Sequence, residues 1–260
     1  MTSTVEVAET VPATDTPVVD VRGAWKLHQL GDEVVRALVD ADLTVMPGEF
    51  VCLMGPSGSG KSTLLNIIGG LDRPTKGSVT IAGRDTGRIT ESQFAALRHD
   101  TIGFIFQSYN LIPFLSAVEN VELPLMFEPY DRASLRRRAI DLLGLVGLSH
   151  RVDHQPTRMS GGEQQRTAIA RSLIGNPRLI LADEPTANLD HRTGAMVVQL
   201  LRDLCARLGV TVVASTHDPT VAEEASRVVR MQDGHILDQT GSADPGRSAS
   251  SPVAPAHPED

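Results

Sequence analysis

The sequence is poor in cysteine, has no long apolar run and carries fewer basic than acidic residues. Its two cysteines, Cys52 and Cys205, predict unpaired thiols, as expected in the cytosol, rather than a disulfide framework. No run of about 18 apolar residues is present, so we expect no segment to span a bilayer. The N-terminus lacks a basic region followed by an apolar core, so we predict no signal peptide. The 24 basic against 32 acidic residues argue against nucleic acid as a partner.

Chain length and local composition set the expected domain plan. A chain of 260 residues is long enough for one large α/β domain with an inserted lobe. Residues 1–17 and 239–260 offer too little apolar surface to offset the entropy of the chain. We therefore predict that both ends are disordered and that residues 18–238 form the folded domain.

Two local patterns predict elements of that domain. Residues 131–146 repeat leucine and valine along one face of a predicted helix, with several arginines on the other face. We interpret the arginines as a solvated surface, with contact to membrane phospholipid as the alternative. Predicted strands at 227–232 and 235–237 meet across Asp233 and Gly234, a dipeptide that indicates a hairpin.

Residues 55–62, GPSGSGKS, match the phosphate-loop pattern G-x-x-x-x-G-K-[ST] at every fixed position. A short apolar segment before them predicts a buried strand, and apolar residues at helical spacing follow them. The glycines let backbone N–H groups surround a phosphate at the start of a helix. Lys61 can reach the β- and γ-phosphates, and the Ser62 hydroxyl can ligate Mg²⁺. The predicted nucleotide-binding residues of this loop are Gly55, Ser57, Gly58, Gly60, Lys61, Ser62 and Thr63.

A second apolar strand is predicted at 178–184 and ends in two acids. Its first acid, Asp183, falls at the carboxyl end of a buried parallel strand, beside the nucleotide loop, and can hold Mg²⁺ opposite Ser62. The second acid, Glu184, can accept a proton from an attacking water, a role that a hydrolase can use and a simple kinase does not need.

Between these motifs lies the segment MSGGEQQR, residues 159–166, before an apolar-periodic run that predicts a helix. Ser160 and Glu163 have the spacing of a capping box, which satisfies N–H groups at a helix start. The functional interpretation is that Ser160 and the amides of Gly161 and Gly162 face a γ-phosphate. Both interpretations can hold together.

These segments resemble the motifs of ATP-binding cassette (ABC) ATPases, in the family's order. Residues 159–163 are similar to the LSGGQ signature, Gln107 resembles the Q-loop glutamine, residues 187–190 resemble the D-loop, and His217 resembles the switch histidine. The resemblance covers about residues 18–238. It implies an α/β fold, a P-loop NTPase core of ABC ATPase type, with an inserted helical subdomain at about 108–176.

The sequence departs from the family pattern in three places. Met159 stands for the usual leucine, a swap that conserves volume. Glu163 stands for the usual glutamine. The aromatic residue that stacks on adenine is usually tyrosine, and its position corresponds to His28, with Trp25 as the alternative.

The resemblance implies an ATP-dependent homodimer. In the family two cassettes pair head to tail, so that each ATP lies between Lys61 of one chain and the signature of the other. The implied signature residues, acting in trans, are Ser160, Gly161, Gly162 and Glu163.

The resemblance also implies roles for single residues. Glu184 acts as the base, His217 contacts the γ-phosphate, Gln107 senses Mg²⁺ and the attacking water, and Asp190 couples the two sites. The implied metal ligands are Ser62, Gln107 and Asp183, and the implied ligands of the protein are ATP and Mg²⁺.

Residues 69–74 and 110–125 resemble the ATPase subunits of macrolide exporters and lipoprotein-releasing systems, and also those of cell-division and antimicrobial-peptide-resistance systems. This branch implies an ATPase at the cytoplasmic face of the membrane that powers a separate permease for export, lipoprotein release or extracytoplasmic mechanical coupling. The alternatives are the ATPase subunit of a small-solute importer and a soluble ABC ATPase without a transport role.

Overall fold

The structure of the chain, a computed structural model, describes residues 16–31 and 33–241. Within these ranges the chain forms ten β-strands and seven α-helices. The strands are β1 (Val19–Leu30), β2 (Glu33–Val45), β3 (Phe50–Met54), β4 (Lys76–Ile81), β5 (Arg84–Asp85), β6 (Ile102–Ile105), β7 (Leu179–Asp183), β8 (Thr211–Thr216), β9 (Arg227–Gln232) and β10 (His235–Gly241). The helices are α1 (Lys61–Ile68), α2 (Glu91–Thr101), α3 (Ala117–Glu122), α4 (Arg132–Leu145), α5 (Gly161–Leu173), α6 (His191–Leu208) and α7 (Pro219–Glu224).

A six-stranded sheet carries the strands that were predicted beside the motifs. Its order is β10-β9-β3-β8-β7-β6, and every pairing except that of β9 with β10 is parallel. Strands covered on both faces are apolar throughout, which explains the continuous apolar runs of β3, β7 and β8. The predicted hairpin between β9 and β10 is confirmed, with both Asp233 and Gly234 at positive φ, as a two-residue turn of this kind requires.

A second, antiparallel sheet has the order β2-β1-β4-β5 and was not predicted from the sequence. Strands β1 and β2 pair along most of their length, but the register shifts between Val21 and Leu27. These shifts break the alternation of apolar and polar residues on which strand prediction depends.

Alternate residues of β3 face two hydrophobic cores on opposite sides of the six-stranded sheet. Phe50 and Cys52 pack into one core with residues of α3, α4, α5 and α6. Val51 and Leu53 pack into the other with α1 and the antiparallel sheet. The six-stranded sheet is thus the middle layer, and the loop that follows β3 emerges between the two cores.

Both cysteines are free and buried, as their prediction as unpaired thiols requires. Burial is the main cause that raises the pKa of the Cys52 thiol to about 12 and that of the Cys205 thiol to about 12. Both therefore stay protonated at neutral pH and act as small apolar side chains.

The segment 108–176 contains α3, α4 and α5, which pack on one another. The amphipathic helix predicted at 131–146 corresponds to α4, whose Leu135 and Leu143 are buried. Arg138 is an exception to the solvated arginine face, because its Nε donates to the carbonyl oxygen of Ile174 at 2.8 Å. Arg138 thus helps to hold α4 against the residues at the end of α5.

The end of the folded domain lies further along the chain than predicted. Strand β10 continues to Gly241, and Thr240 pairs with Val228 of β9, so residues 239–241 belong to the sheet and not to a disordered tail. Their polar, exposed side chains gave no apolar signal, whereas backbone pairing is independent of side-chain type. Residues 1–15 and 242–260, predicted to be disordered, lie outside the described residues. In the part of the chain that the structure covers, no helix combines the length and apolarity needed to cross a membrane.

Gly103 in β6 allows α5 to lie directly against the six-stranded sheet. A Cβ atom at this position would lie 2.2 Å from the carbonyl oxygen of Ser172 in α5. We expect Gly103→Ala to force strand and helix apart and to lower the free energy of unfolding by about 1–3 kcal/mol, measured by chemical denaturation. The matched control is Gly175→Ala, whose Cβ would meet its nearest neighbour at 3.5 Å, with an expected change below about 0.5 kcal/mol. Equal stabilities of the two variants would contradict this account.

Candidate active site

The carboxyl ends of four neighbouring parallel strands meet at one edge of the six-stranded sheet. Strand β3 leads into the predicted phosphate loop, β7 ends at Asp183, His217 follows β8, and Gln107 comes shortly after β6. Ligands of open parallel sheets bind beyond the carboxyl ends of the strands. The topology therefore brings four separately predicted motifs to a common edge.

Two glycines in the left-handed region shape the loop between β3 and α1. Gly58 has φ 81° and Gly60 has φ 99°, and a Cβ atom on Gly60 would lie 2.5 Å from the carbonyl oxygen of Ala37. Gly60 is also the N-cap of α1 and provides no side-chain cap. The first N–H groups of α1 have no intrahelical acceptor and carry the positive end of the helix dipole. This helix end suits an anion.

Lys61 is folded into the loop, with only 6% of its surface exposed. Its Nζ donates to the carbonyl oxygens of Gly55 at 2.7 Å and Pro56 at 3.0 Å. The Ser59 hydroxyl is buried in the same loop and has no hydrogen-bond partner among the residues that the structure describes. A buried ammonium and a donor without an acceptor fit an oxyanion such as phosphate.

Ser62 and Asp183, predicted as metal ligands, lie side by side. The Ser62 hydroxyl donates to Oδ1 of Asp183 at 2.9 Å, and the Ser215 hydroxyl of β8 donates to the same oxygen at 2.5 Å. Hydroxyl and carboxylate oxygens are ligands that Mg²⁺ prefers, in company with phosphate oxygens. The residues present therefore fit the metal that the sequence predicted.

Glu184 and His217 are brought together from β7 and β8. Nδ1 of His217 lies 3.0 Å from Oε1 of Glu184, and the glutamate side chain is 15% exposed against 64% for the histidine. Glu184 has φ 47°, and its N–H donates to the Ser215 carbonyl oxygen at 3.1 Å. This turned backbone separates the directions of the two acids, so that Asp183 meets Ser62 and Glu184 meets His217.

Gln107 and the D-loop segment are joined through main-chain oxygens. Asn188 donates from Nδ2 to the carbonyl oxygen of Gln107 at 2.8 Å, and the Tyr109 hydroxyl lies 3.4 Å from the carbonyl oxygen of Asn188. Asp190 is the N-cap of α6 and accepts from the N–H of Thr193 at 3.0 Å. Hydrogen bonds from the side chain and the N–H of Thr193 lower the pKa of Asp190. The exposed Gln107 side chain is thus held in the loop through its backbone, not through contact with Asp183.

The capping box predicted at the start of α5 is confirmed. Ser160 donates from its N–H to Oε2 of Glu163 at 2.8 Å, and Arg151 donates from Nε to Oε1 at 2.8 Å. Burial alone raises the pKa of Glu163, but the bonds from Ser160 and Arg151 outweigh it and lower this pKa overall. Glu163 is therefore a carboxylate at neutral pH. Gly161 is close to Tyr109, whose hydroxyl oxygen would lie 3.0 Å from an added Cβ atom.

The two residues considered for adenine stacking differ in their surroundings. His28 is exposed near the end of β1. Trp25 is partly buried and has Nζ of Lys76 at 6.0 Å from the centroid of its ring. His28, whose ring is exposed, stays the residue predicted to stack on adenine.

Comparison with known families identifies the chain. Residues 38–187 match the family model described as ABC transporter. This chain belongs to the ABC transporter family. The cassette is 48% identical over 219 residues to an uncharacterized ABC transporter ATP-binding protein of Thermotoga maritima, a match that spans 84% of this chain and 93% of that protein. The predicted family is confirmed.

Further relatives bear on the fold and the branch. The macrolide export ATP-binding/permease protein MacB of Agrobacterium fabrum is 48% identical over 221 residues, which are 85% of this chain but 34% of that protein. The cassette thus spans about a third of this relative. The solved ATP-binding cassette MJ0796, in a dimeric post-hydrolysis state bound to ADP and Pi, matches with a TM-score of 0.80 at 44% identity, covering 86% of this chain and 98% of that one. The predicted fold class and ATPase activity are confirmed.

Sequence reasoning missed several residues of the cassette that hold the predicted ones in place. Ser215 bonds both Asp183 and the N–H of Glu184, and Asn188 holds the Gln107 loop. Arg151 holds Glu163. Ser215 lies two residues before the predicted His217 and Asn188 lies in the D-loop segment 187–190, so the sequence pointed to the neighbourhood of both. Arg151 carried no signal, because it comes close to α5 only through the fold.

Proposed function

We propose that this ATPase is the motor subunit of an exporter or of a related machine that releases lipoproteins or drives extracytoplasmic movement. The observation that carries this proposal is the likeness to MacB, in which a cassette 48% identical to this chain occupies about a third of an ATP-binding/permease protein. The permease that we propose as its partner is a separate polypeptide. Such a partner would hold this chain at the cytoplasmic face of a membrane.

For hydrolysis, we assign the phosphate loop and Lys61 to the phosphates of ATP. Water attacks the γ-phosphorus while Glu184 accepts its proton, a P–O bond forms, and the bond to the β,γ-bridging oxygen breaks to leave ADP and phosphate. His217 holds the Glu184 carboxylate in position at 3.0 Å. Ser62, Asp183 and Gln107 would hold Mg²⁺, which would supply charge neutralisation on the phosphates.

For assembly, we propose a homodimer in which ATP bound at Lys61 of one chain meets Ser160 of the other. The start of α1 has no side-chain cap, and at the start of α5 the capping box bonds the N–H groups of Ser160 and Glu163. The N–H groups of Gly161 and Gly162 have no intrahelical acceptor, so a phosphate between the two helix starts would accept from both helices. The dimeric state of the MJ0796 cassette supports this arrangement. Asp190, next to Asn188 and the Gln107 loop, is the proposed link between the two sites.

Capture of the membrane partner tests this function. Tagged Glu184→Gln chain, expressed in its own cells and solubilised with ATP and Mg²⁺, is expected to retain a permease with few spans and a large extracytoplasmic domain. The matched control is the double variant Glu184→Gln, Lys61→Ala, which should retain less of any partner that depends on ATP. A many-span permease with a solute-binding protein would contradict the export function and favour an importer. Ribosomes or DNA in place of a permease would contradict the transport function.

A further inference from the structure

The carboxylate of Glu163 lies at the centre of a charge cluster at the start of α5. Its Oε2 accepts from the Ser160 N–H at 2.8 Å and from the Ser160 hydroxyl at 3.0 Å. Its Oε1 accepts from Nε of Arg151 at 2.8 Å and lies 4.0 Å from Nε2 of His150. The Glu163 side chain is 13% exposed and that of Arg151 is 33%. This ion pair is therefore better shielded from water than an ordinary surface pair.

A carboxylate at this place conflicts with the function proposed for Ser160. The hydroxyl of a serine has a single proton to donate, and Glu163 receives it here. A phosphate that approaches Ser160 must replace the Glu163 carboxylate as the acceptor of this hydrogen bond. It must also lie close to the negative charge of Glu163. Like charges repel strongly where water is excluded, as at the interface of two chains. A cation that neutralises Glu163 would remove this repulsion and weaken the hold of the carboxylate on the Ser160 hydroxyl.

Arg151 is the cation in direct contact with Glu163. It reaches Glu163 from the short 3₁₀ turn Ser149–Arg151, which precedes α5. It binds the oxygen opposite to the one that Ser160 uses. The exposed His150 is further away and is charged only when protonated.

We propose that Arg151 is a positioning residue of the signature, which neutralises Glu163 so that Ser160 can donate its hydroxyl to ATP bound by a second copy of this chain. The inference rests on the homodimer of the proposed function. An amide at position 163 has no charge to neutralise. Arg151 therefore matters to the ATP-bound dimer only while residue 163 is acidic.

A double-mutant cycle in the hydrolysis-deficient Glu184→Gln chain tests this dependence. The measured quantity is the dissociation constant of the dimer with ATP and Mg²⁺, from sedimentation velocity over a range of chain concentrations. Arg151→Ala is expected to raise this constant about tenfold, a figure discounted for the partial exposure of the pair. In the chain that also carries Glu163→Gln, the same Arg151→Ala is expected to raise it less than about twofold.

Control variants separate charge compensation from general damage. Arg151→Gln removes the charge but keeps a polar side chain. It should raise the dissociation constant of the dimer as much as Arg151→Ala does. Arg158→Ala removes an exposed arginine two residues before Ser160 and should change the dimer constant less than about twofold. ATP binding by the separate chains, measured at low chain concentration, should be the same for all variants.

The outcomes distinguish this inference from the proposed function. Equal effects of Arg151→Ala with and without Glu163→Gln, or no effect in either, would overturn the role of Arg151 while the dimer stands. A Glu184→Gln chain that binds ATP but never dimerises would overturn the homodimer, and the role of Arg151 with it.

Discussion

Glu184→Gln is expected to lower steady-state ATP turnover at least about 100-fold while ATP binding persists. A glutamine has nearly the same shape but cannot accept the proton of the attacking water, and a general base contributes about 10²–10⁴ to a rate. The site favours this role, because Glu184 is only 15% exposed and is directed away from Asp183 by its positive φ. The measurements are phosphate release at saturating ATP and equilibrium binding of a fluorescent ATP analogue.

The matched control for this change is Glu223→Gln, the same substitution at an exposed residue of α7. Turnover by this variant should stay within about twofold of the unaltered chain. Near-normal turnover by Glu184→Gln would show that another group receives the proton. Loss of ATP binding would instead show that Glu184 acts in binding.

Lys61→Ala is expected to weaken ATP binding at least about 30-fold, because removing one partner of a buried charge contact costs 2–5 kcal/mol or more. Lys61 is 6% exposed, and among the described residues its ammonium donates only to the loop carbonyl oxygens of Gly55 and Pro56. A bound phosphate adds a full negative charge to that environment. The measurement is calorimetric titration with ATP and Mg²⁺.

The control for Lys61→Ala removes one positive charge elsewhere. Arg88→Ala alters a side chain that is 88% exposed, and it should leave the affinity for ATP unchanged within about twofold. Thermal unfolding without nucleotide should be measured for both variants, so that a loss of affinity can be separated from a loss of fold. Unchanged affinity in a folded Lys61→Ala chain would contradict the phosphate site.

The strand-to-loop-to-helix motifs could be predicted from the sequence because their chemistry is local. The phosphate loop needs glycines at fixed positions, and Gly58 and Gly60 have the positive φ that such a loop requires. The strand before Asp183 is apolar on both faces because the sheet is covered on both sides. The predicted hairpin at Asp233 and Gly234 followed from the same kind of local rule.

What the sequence did not predict depends on register and on distant pairing. The antiparallel sheet was not predicted because bulges in β1 break the alternation of apolar and polar residues. The last residues of β10 were not predicted because their side chains are polar and exposed. The contact of Arg151 with Glu163 joins residues 12 positions apart on two separate elements, and no periodic pattern marks it. The sequence predicted the capping residues at the start of α5, but it did not predict that Arg151 contacts Glu163.

The central claim is that ATP is held between two copies of this chain, and sedimentation velocity of Glu184→Gln chain with ATP and Mg²⁺ tests it most directly. We predict that ATP converts the chain to a species of twice the monomer mass. The same chain carrying Ser160→Arg should bind ATP but remain a monomer, since the arginine blocks the start of α5. An ATP-bound Glu184→Gln chain that sediments as a monomer, or a Ser160→Arg variant that dimerises equally well, would contradict the account.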